Sequence, residues 1–191
     1  MNATIDAMQV PAAGAGRARL ERGYVQVYTG DGKGKTTAAI GLAIRAAGAG
    51  LRVFFAQFIK GLAYSEIEAL GRFADLITVE QFGRGCFIRG EPQQADIQAA
   101  CHGLARIVEA IREGDYDLVI LDEAIVAVQC RLFPVERLLE LIADKPEHVE
   151  LVLTGRYACN ALLEKADLVT EMREVKHYYR RGIGGRRGIE M

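Results

Sequence analysis

Three observations predict an α/β fold with a mostly parallel sheet. Apolar strand segments alternate with helical stretches of roughly 10 to 20 residues, the pattern of crossover-connected parallel strands. The segment 51–59 is apolar along nearly its whole length, as expected of a strand covered by helices on both faces. The first strand runs directly through a glycine-rich turn into a helix, and in such sheets ligands bind where strands give way to turns at their carboxyl ends.

Taken in order, residues 1–22 are rich in Ala, Gly and Arg and read as an N-terminal arm, either a disordered tail or a segment that orders over a site or a partner subunit. The domain proper is expected over 23–191. Strand 24–29 alternates, a turn follows, and an Ala-rich helix over 35–49 is stopped by Gly48 and Gly50. After strand 51–59, a short helix is expected over 64–72 and a strand over 76–81. Residues 82–92 read as a loop because glycines interrupt it, although Phe82, Phe87 and Ile88 are apolar. Ile97, Ala100, Cys101, Leu104, Ile107, Val108 and Ile111 recur at helical spacing and predict a helix over 93–113. Strand 117–122, a helical stretch 123–130, a helix opened by Pro134 and running to about Ala143, strand 149–153, a helix ending at Lys165 and a last strand 168–174 complete the chain.

Half of the 191 residues are hydrophobic and the net charge is −1, so nothing global calls for nucleic acid or membrane. The longest apolar runs are far shorter than a bilayer span, and no basic segment precedes an apolar one at the N-terminus, so no secretory signal is expected. Cys86, Cys101, Cys130 and Cys159 form no Cys-x-x-Cys pair, and buried or half-buried thiols in a reducing cytoplasm are expected.

The chemistry gathers on the strand-end rim. Gly30-Asp31-Gly32-Lys33-Gly34-Lys35-Thr36-Thr37 is a phosphate-binding P-loop: glycines let the backbone approach an anion, successive N–H groups can form a nest at a helix N-terminus, Lys35 adds a cation, and the Thr36 hydroxyl can ligate Mg²⁺. The loop is short by one residue, since the standard spacing would put glycine where Thr29 stands. The apolar strand ending in Asp122-Glu123 supplies acids for the metal. If strand alternation persists, only one of the pair faces the metal. Arg156 is a candidate phosphate contact and Thr154 a candidate cap for the next helix. The tail 173–187 mixes basic residues with His177, Tyr178 and Tyr179, and its flanking acids favour a local anionic-ligand site over an RNA surface. These residues indicate an Mg²⁺–nucleoside triphosphate protein, ATP rather than GTP because no guanine signature is present.

In its ordered series of motifs the chain resembles the ATP:corrinoid adenosyltransferases of the P-loop type. The marks are the shortened loop 30–37, Ala-Gln-Phe-Ile-Lys-Gly at 56–61, Leu-Asp-Glu at 121–123, Thr-Gly-Arg at 154–156, and the ending from Glu171 through His177 with Gly182-Ile183 and Gly188-Ile189-Glu190. The resemblance implies a three-layer, RecA-like P-loop NTPase fold and transfer of the 5′-deoxyadenosyl group of ATP to Co(I) of a corrinoid, releasing triphosphate, with ATP reversed in the loop. It implies Lys35, Thr36 and Glu123 as catalytic residues, and Thr36 and Glu123 as ligands of Mg²⁺ (or Mn²⁺) with Asp122 in support. The 30–37 loop and Arg156 would hold ATP, and Phe87 would face the corrin. A homodimer and a flavoprotein reductase are the implied partners. The chain departs from the family at Cys86-Phe87-Ile88, where better-known members carry Gly-Phe-x-Trp, and at Ala124–Ala127, where an Asn often follows Leu-Asp-Glu. A P-loop ATPase or kinase, or a nucleotide-dependent corrinoid-binding protein without turnover, are the alternatives.

Overall fold

The structure, a computed structural model, describes residues 19–62, 64–85, 88 and 90–190. Most of the expected arm, residues 1–18, therefore lies outside the described residues, as do Cys86 and Phe87. One six-stranded sheet organises the chain, in the order β3-β2-β4-β5-β1-β6, and every neighbouring pair in it is parallel. The strands are β1 (Val25–Thr29), β2 (Val53–Lys60), β3 (Ile77–Gly85), β4 (Leu118–Asp122), β5 (Glu150–Thr154) and β6 (Leu168–Glu171). The helices are α1 (Lys35–Gly48), α2 (Ser65–Leu70), α3 (Gln94–Glu113), α4 (Ala124–Gln129), α5 (Glu136–Asp144) and α6 (Asn160–Lys165). No helix among the described residues is long and apolar enough to cross a membrane.

The apolar runs account for the layering. β2 and β4 sit side by side in the middle, and Val53–Ile59 and Leu118–Asp122 are buried throughout. On one face the small residues Ala39, Ala43, Ala46 and Ala47 of α1 pack on Val53, Phe55, Leu118, Ile120 and Val152. On the other, Ala100, Leu104 and Ile107 of α3, with Leu138 of α5 and Leu162 of α6, pack on Phe54, Phe58, Val119 and Leu151. Phe58 lies at the heart of this second layer, 5.9 Å from the Phe82 ring and 5.5 Å from the Phe133 ring. Phe58→Ala should therefore lower stability by about 3 to 5 kcal/mol, read as a fall in Tm of roughly 10 °C by calorimetry.

Three local expectations are corrected. Residues 82–85 are not loop: β3 continues to Gly85, pairing Phe58 with Phe82 and Lys60 with Gly85, with one extra residue of β3 bulged between the two pairs. Gly83 marks close backbone approach, since a Cβ there would lie 2.1 Å from the Ile59 carbonyl oxygen. The last strand ends at Glu171 rather than 174, because the chain turns there to cross the glycine-rich loop. Cys101 and Cys159 are exposed rather than buried, and Cys130 is half-buried. Cys101 sits at the edge of the helical stripe, its thiol 3.9 Å from the Leu132 carbonyl.

Candidate active site

The glycine-rich loop joins β1 to α1. Gly30 and Gly34 have φ of 98° and 121°, a region that favours glycine, and a Cβ on Gly30 would lie 2.3 Å from the Met172 carbonyl oxygen. Lys35 is the first residue of α1 and is buried. Its ammonium donates to the Gly30 and Gly32 carbonyls at 2.8 and 2.6 Å, across the mouth of the loop. Burial holds its pKa below the ordinary lysine value and Arg156 adds to this, with Glu123, Asp31 and Asp122 opposing. The expected nest of inward N–H groups is reduced by one, because the Gly32 N–H donates to the Met172 carbonyl at 2.7 Å.

Sheet register builds the acidic side. Gln57 pairs with Gln81 on one side and with Asp122 on the other, and Thr154 stands one position beyond the Leu121–Leu153 pair. Neighbours at one level of a parallel sheet point to the same face, so these four polar side chains form a row across the carboxyl edge. Asp122 is completely buried in it. Its Oδ1 accepts from the Thr36 hydroxyl at 2.9 Å and the Thr154 hydroxyl at 2.7 Å, and its Oδ2 from Gln57 Nε2 at 2.9 Å. Gln57 Oε1 in turn accepts from Gln81 Nε2 at 2.8 Å, which also reaches the Leu62 carbonyl at 3.0 Å. Strand alternation does not persist into Glu123, whose φ is 59°. The left-handed turn leaves Asp122 beneath the loop and Glu123 on the cavity wall. Burial, then the neighbouring Asp122, pushes the Glu123 carboxyl above the usual range, while Lys60, Lys35 and Arg156 pull the other way. Thr154 does not cap α6 as expected: its hydroxyl accepts the Glu123 N–H at 2.9 Å and so fixes that turn.

Between loop, β-strand ends and tail lies a cavity of about 580 Å³, with Lys35, Thr36, Thr37, Glu123 and Arg156 along the sheet side. The far side is made by His177, Gly188, Ile189 and Glu190. Two cations of the basic tail are paired within it, Arg180 with Glu174 at 2.6 Å and Arg186 with Glu190 at 3.2 Å. A second cavity, about 280 Å³, opens at the end of β3 against Ile59, Phe82, Ile88 and Leu132.

A family model described as ATP:corrinoid adenosyltransferase BtuR/CobO/CobP matches residues 21–191. The chain belongs to this family of transferases. It is 37% identical over 175 residues to the corrinoid adenosyltransferase of Pseudomonas aeruginosa, covering 91% of this chain and 86% of that one. To the corrinoid adenosyltransferase CobA of Salmonella typhimurium it is 34% identical over 183 residues, covering 91% and 88%. Among solved structures, a KaiC-like protein of Pyrococcus horikoshii matches with a TM-score of 0.54 at 14% identity, over 81% of this chain and 74% of that one, a likeness of fold alone. The fold is thus the RecA-like α/β architecture of P-loop NTPases.

In this adenosyltransferase the loop residues, Glu123 and Arg156 meet at one cavity, with Asp122 directly behind it. Gly30 and Asp31 of the loop do not line it: Gly30 packs against the Met172 backbone, and Asp31 is exposed, its carboxylate accepting the Glu174 N–H at 3.1 Å, which holds that carboxyl below the usual range. Sequence reasoning gave no site role to Gln57, Gln81 or Glu190, although Gln57 and Glu190 stood within the marks of the resemblance. Gln57 was visible as a polar residue inside an otherwise apolar strand, a signal that its amide has a partner at the same level.

Proposed function

We propose that this chain transfers the 5′-deoxyadenosyl group of ATP to the Co(I) centre of a corrinoid and releases triphosphate. The observation that carries the reading is the single cavity joining the P-loop, Glu123 and Arg156 in a chain of this family. Cobalt of the substrate, in its +1 state, donates an electron pair to the ribose 5′ carbon. A Co–C bond forms, the C5′–O bond breaks, and triphosphate departs with that bond's electrons, so no proton transfer is required. The protein's task is to hold the reactants in line and to stabilise charge on the leaving group. Lys35, the remaining loop amides and Arg156 are the groups positioned for the second task.

The oxygen donors beside the loop suit a hard divalent cation, Mg²⁺ or Mn²⁺. The Asp122 carboxylate has about four acceptor sites and already takes bonds from Thr36, Thr154 and Gln57. Direct contact with the cation thus falls to the Thr36 hydroxyl and Glu123, and Asp122 orients Thr36. When bound, the cation would neutralise developing charge on the triphosphate. The corrin would lie against the second cavity at the end of β3, where Ile59, Phe82, Ile88 and Leu132 offer apolar groups alongside the charged and polar Arg84, Glu91, Gln93 and Asp96, beside the 82–92 segment that carries Phe87.

Anaerobic incubation of the protein with ATP, Mg²⁺ and a chemically reduced corrinoid tests this. The visible spectrum should change from cob(I) to the adenosylated form, with triphosphate as the stoichiometric product. Release of ADP, or an unchanged cob(I) spectrum, would sink the reading.

A further inference from the structure

The front of the phosphate loop is held by the C-terminal segment at three successive residues. Asp31 accepts the Glu174 N–H and the Gly32 N–H donates to the Met172 carbonyl. The Lys33 ammonium donates to the Ile189 carbonyl at 2.9 Å, to Glu190 Oε1 at 3.0 Å and to the Tyr178 hydroxyl at 3.3 Å. An ammonium has three protons, and all three of these have acceptors on the tail. The tail is closed on itself around the same carboxylate: Glu190 accepts from the Arg186 N–H at 2.7 Å, from Arg186 Nη2 at 3.2 Å and from the Tyr178 hydroxyl. The Arg186 guanidinium lies 4.9 Å from the Tyr178 ring centre. The residues so fixed, Gly188, Ile189 and Glu190, are the far wall of the 580 Å³ cavity.

We propose that Glu190 is a positioning residue for ATP: by clasping Lys33 it locks the C-terminal segment as the outer wall of the nucleotide cavity. Lys33 then serves as the anchor of that strap and not as a phosphate ligand, leaving Lys35 as the loop's phosphate cation. The inference rests on the reading that this cavity takes ATP. The competing arrangement is that the polyphosphate draws Lys33 away from Glu190, in which case the carboxylate opposes binding.

The two arrangements give opposite signs. Calorimetric titration of the full-length protein with ATP and Mg²⁺ should show ~5-fold weaker binding for Glu190→Gln, the upper range for one partly exposed ion pair. Lys33→Met should weaken binding similarly, and the double variant should be no worse than either single one. In turnover assays the loss should fall on the ATP KM more than on kcat, which a general loss of stability would not produce. Tighter or unchanged binding in Glu190→Gln, or additive losses in the double variant, would overturn the clasp. Lys35→Ala serves as the reference. If it keeps full ATP affinity, the cavity is misassigned and the clasp falls with it; if it loses affinity while Glu190→Gln does not, the clasp alone fails.

Discussion

Lys35→Ala should abolish turnover while leaving the fold intact. The Lys35 ammonium is buried, sits at the first residue of α1 and spans the loop through the Gly30 and Gly32 carbonyls. Those carbonyls carry no formal charge, and burial, then the nearby Arg156, disfavours the charged ammonium. An arriving triphosphate offers the charge that this ammonium lacks, and charge grows on the triphosphate as the C5′–O bond breaks. The lysine therefore interacts more strongly in the transition state than in the ground state, which is the condition for raising kcat. Removal of one such group costs about 10² to 10³ in rate, and loss of ATP affinity adds to it in kcat/KM. Stability should change little, because deleting a desolvated cation offsets the loss of two hydrogen bonds. Arginine should not rescue the site, since its planar fork cannot fold back over two loop carbonyls as a compact ammonium does. A Lys35→Ala variant with full activity and an unchanged melting curve would refute the loop assignment.

What was legible in the sequence follows from what is locally encoded. Strands 51–59 and 117–122 could be read because both faces of β2 and β4 are buried, which forces apolar residues at every position. The P-loop could be read because glycine placement and the Lys-Thr pair are local necessities of a phosphate cradle. β3 was cut short because Gly83 was taken for a loop former, whereas it permits contact with Ile59 on the next strand. The pairing of Gln57 with both Gln81 and Asp122 depends on register between strands far apart in sequence. No periodicity within one segment encodes that. Lys33 and Glu190 stand 157 positions apart, so a contact that shapes the cavity wall left no local trace. The Asp122–Glu123 pair was legible as chemistry but not as geometry, because the left-handed φ at Glu123 breaks the alternation on which the assignment of facing rested.

Asp122→Asn should separate the structural and electrostatic roles of the buried row. The carboxylate is completely buried and accepts from two hydroxyls and one amide. Asparagine preserves the shape but replaces one acceptor oxygen with a donor. On the Oδ1 side the Thr36 and Thr154 hydroxyls can rotate and accept instead. On the Oδ2 side Gln57 Nε2 is itself a donor and cannot, unless its amide flips, and a flip breaks the bond that Gln57 Oε1 accepts from Gln81. The amide of asparagine should therefore settle toward the threonines. One strained or broken bond should cost about 1 to 3 kcal/mol, a fall in Tm of roughly 3 to 10 °C by calorimetry. The electrostatic loss is separate: the negative charge that orients the Thr36 hydroxyl and offsets the cation is gone. The Mg²⁺ concentration giving half-maximal ATP binding should rise by about tenfold, the equivalent of ~1.4 kcal/mol. Gln57→Leu should reproduce part of the Tm loss with a smaller Mg²⁺ shift, because it removes a donor to Asp122 and leaves the charge in place. An Asp122→Asn protein with wild-type Mg²⁺ dependence would show that the row is structural and that Glu123 alone carries the acidic role.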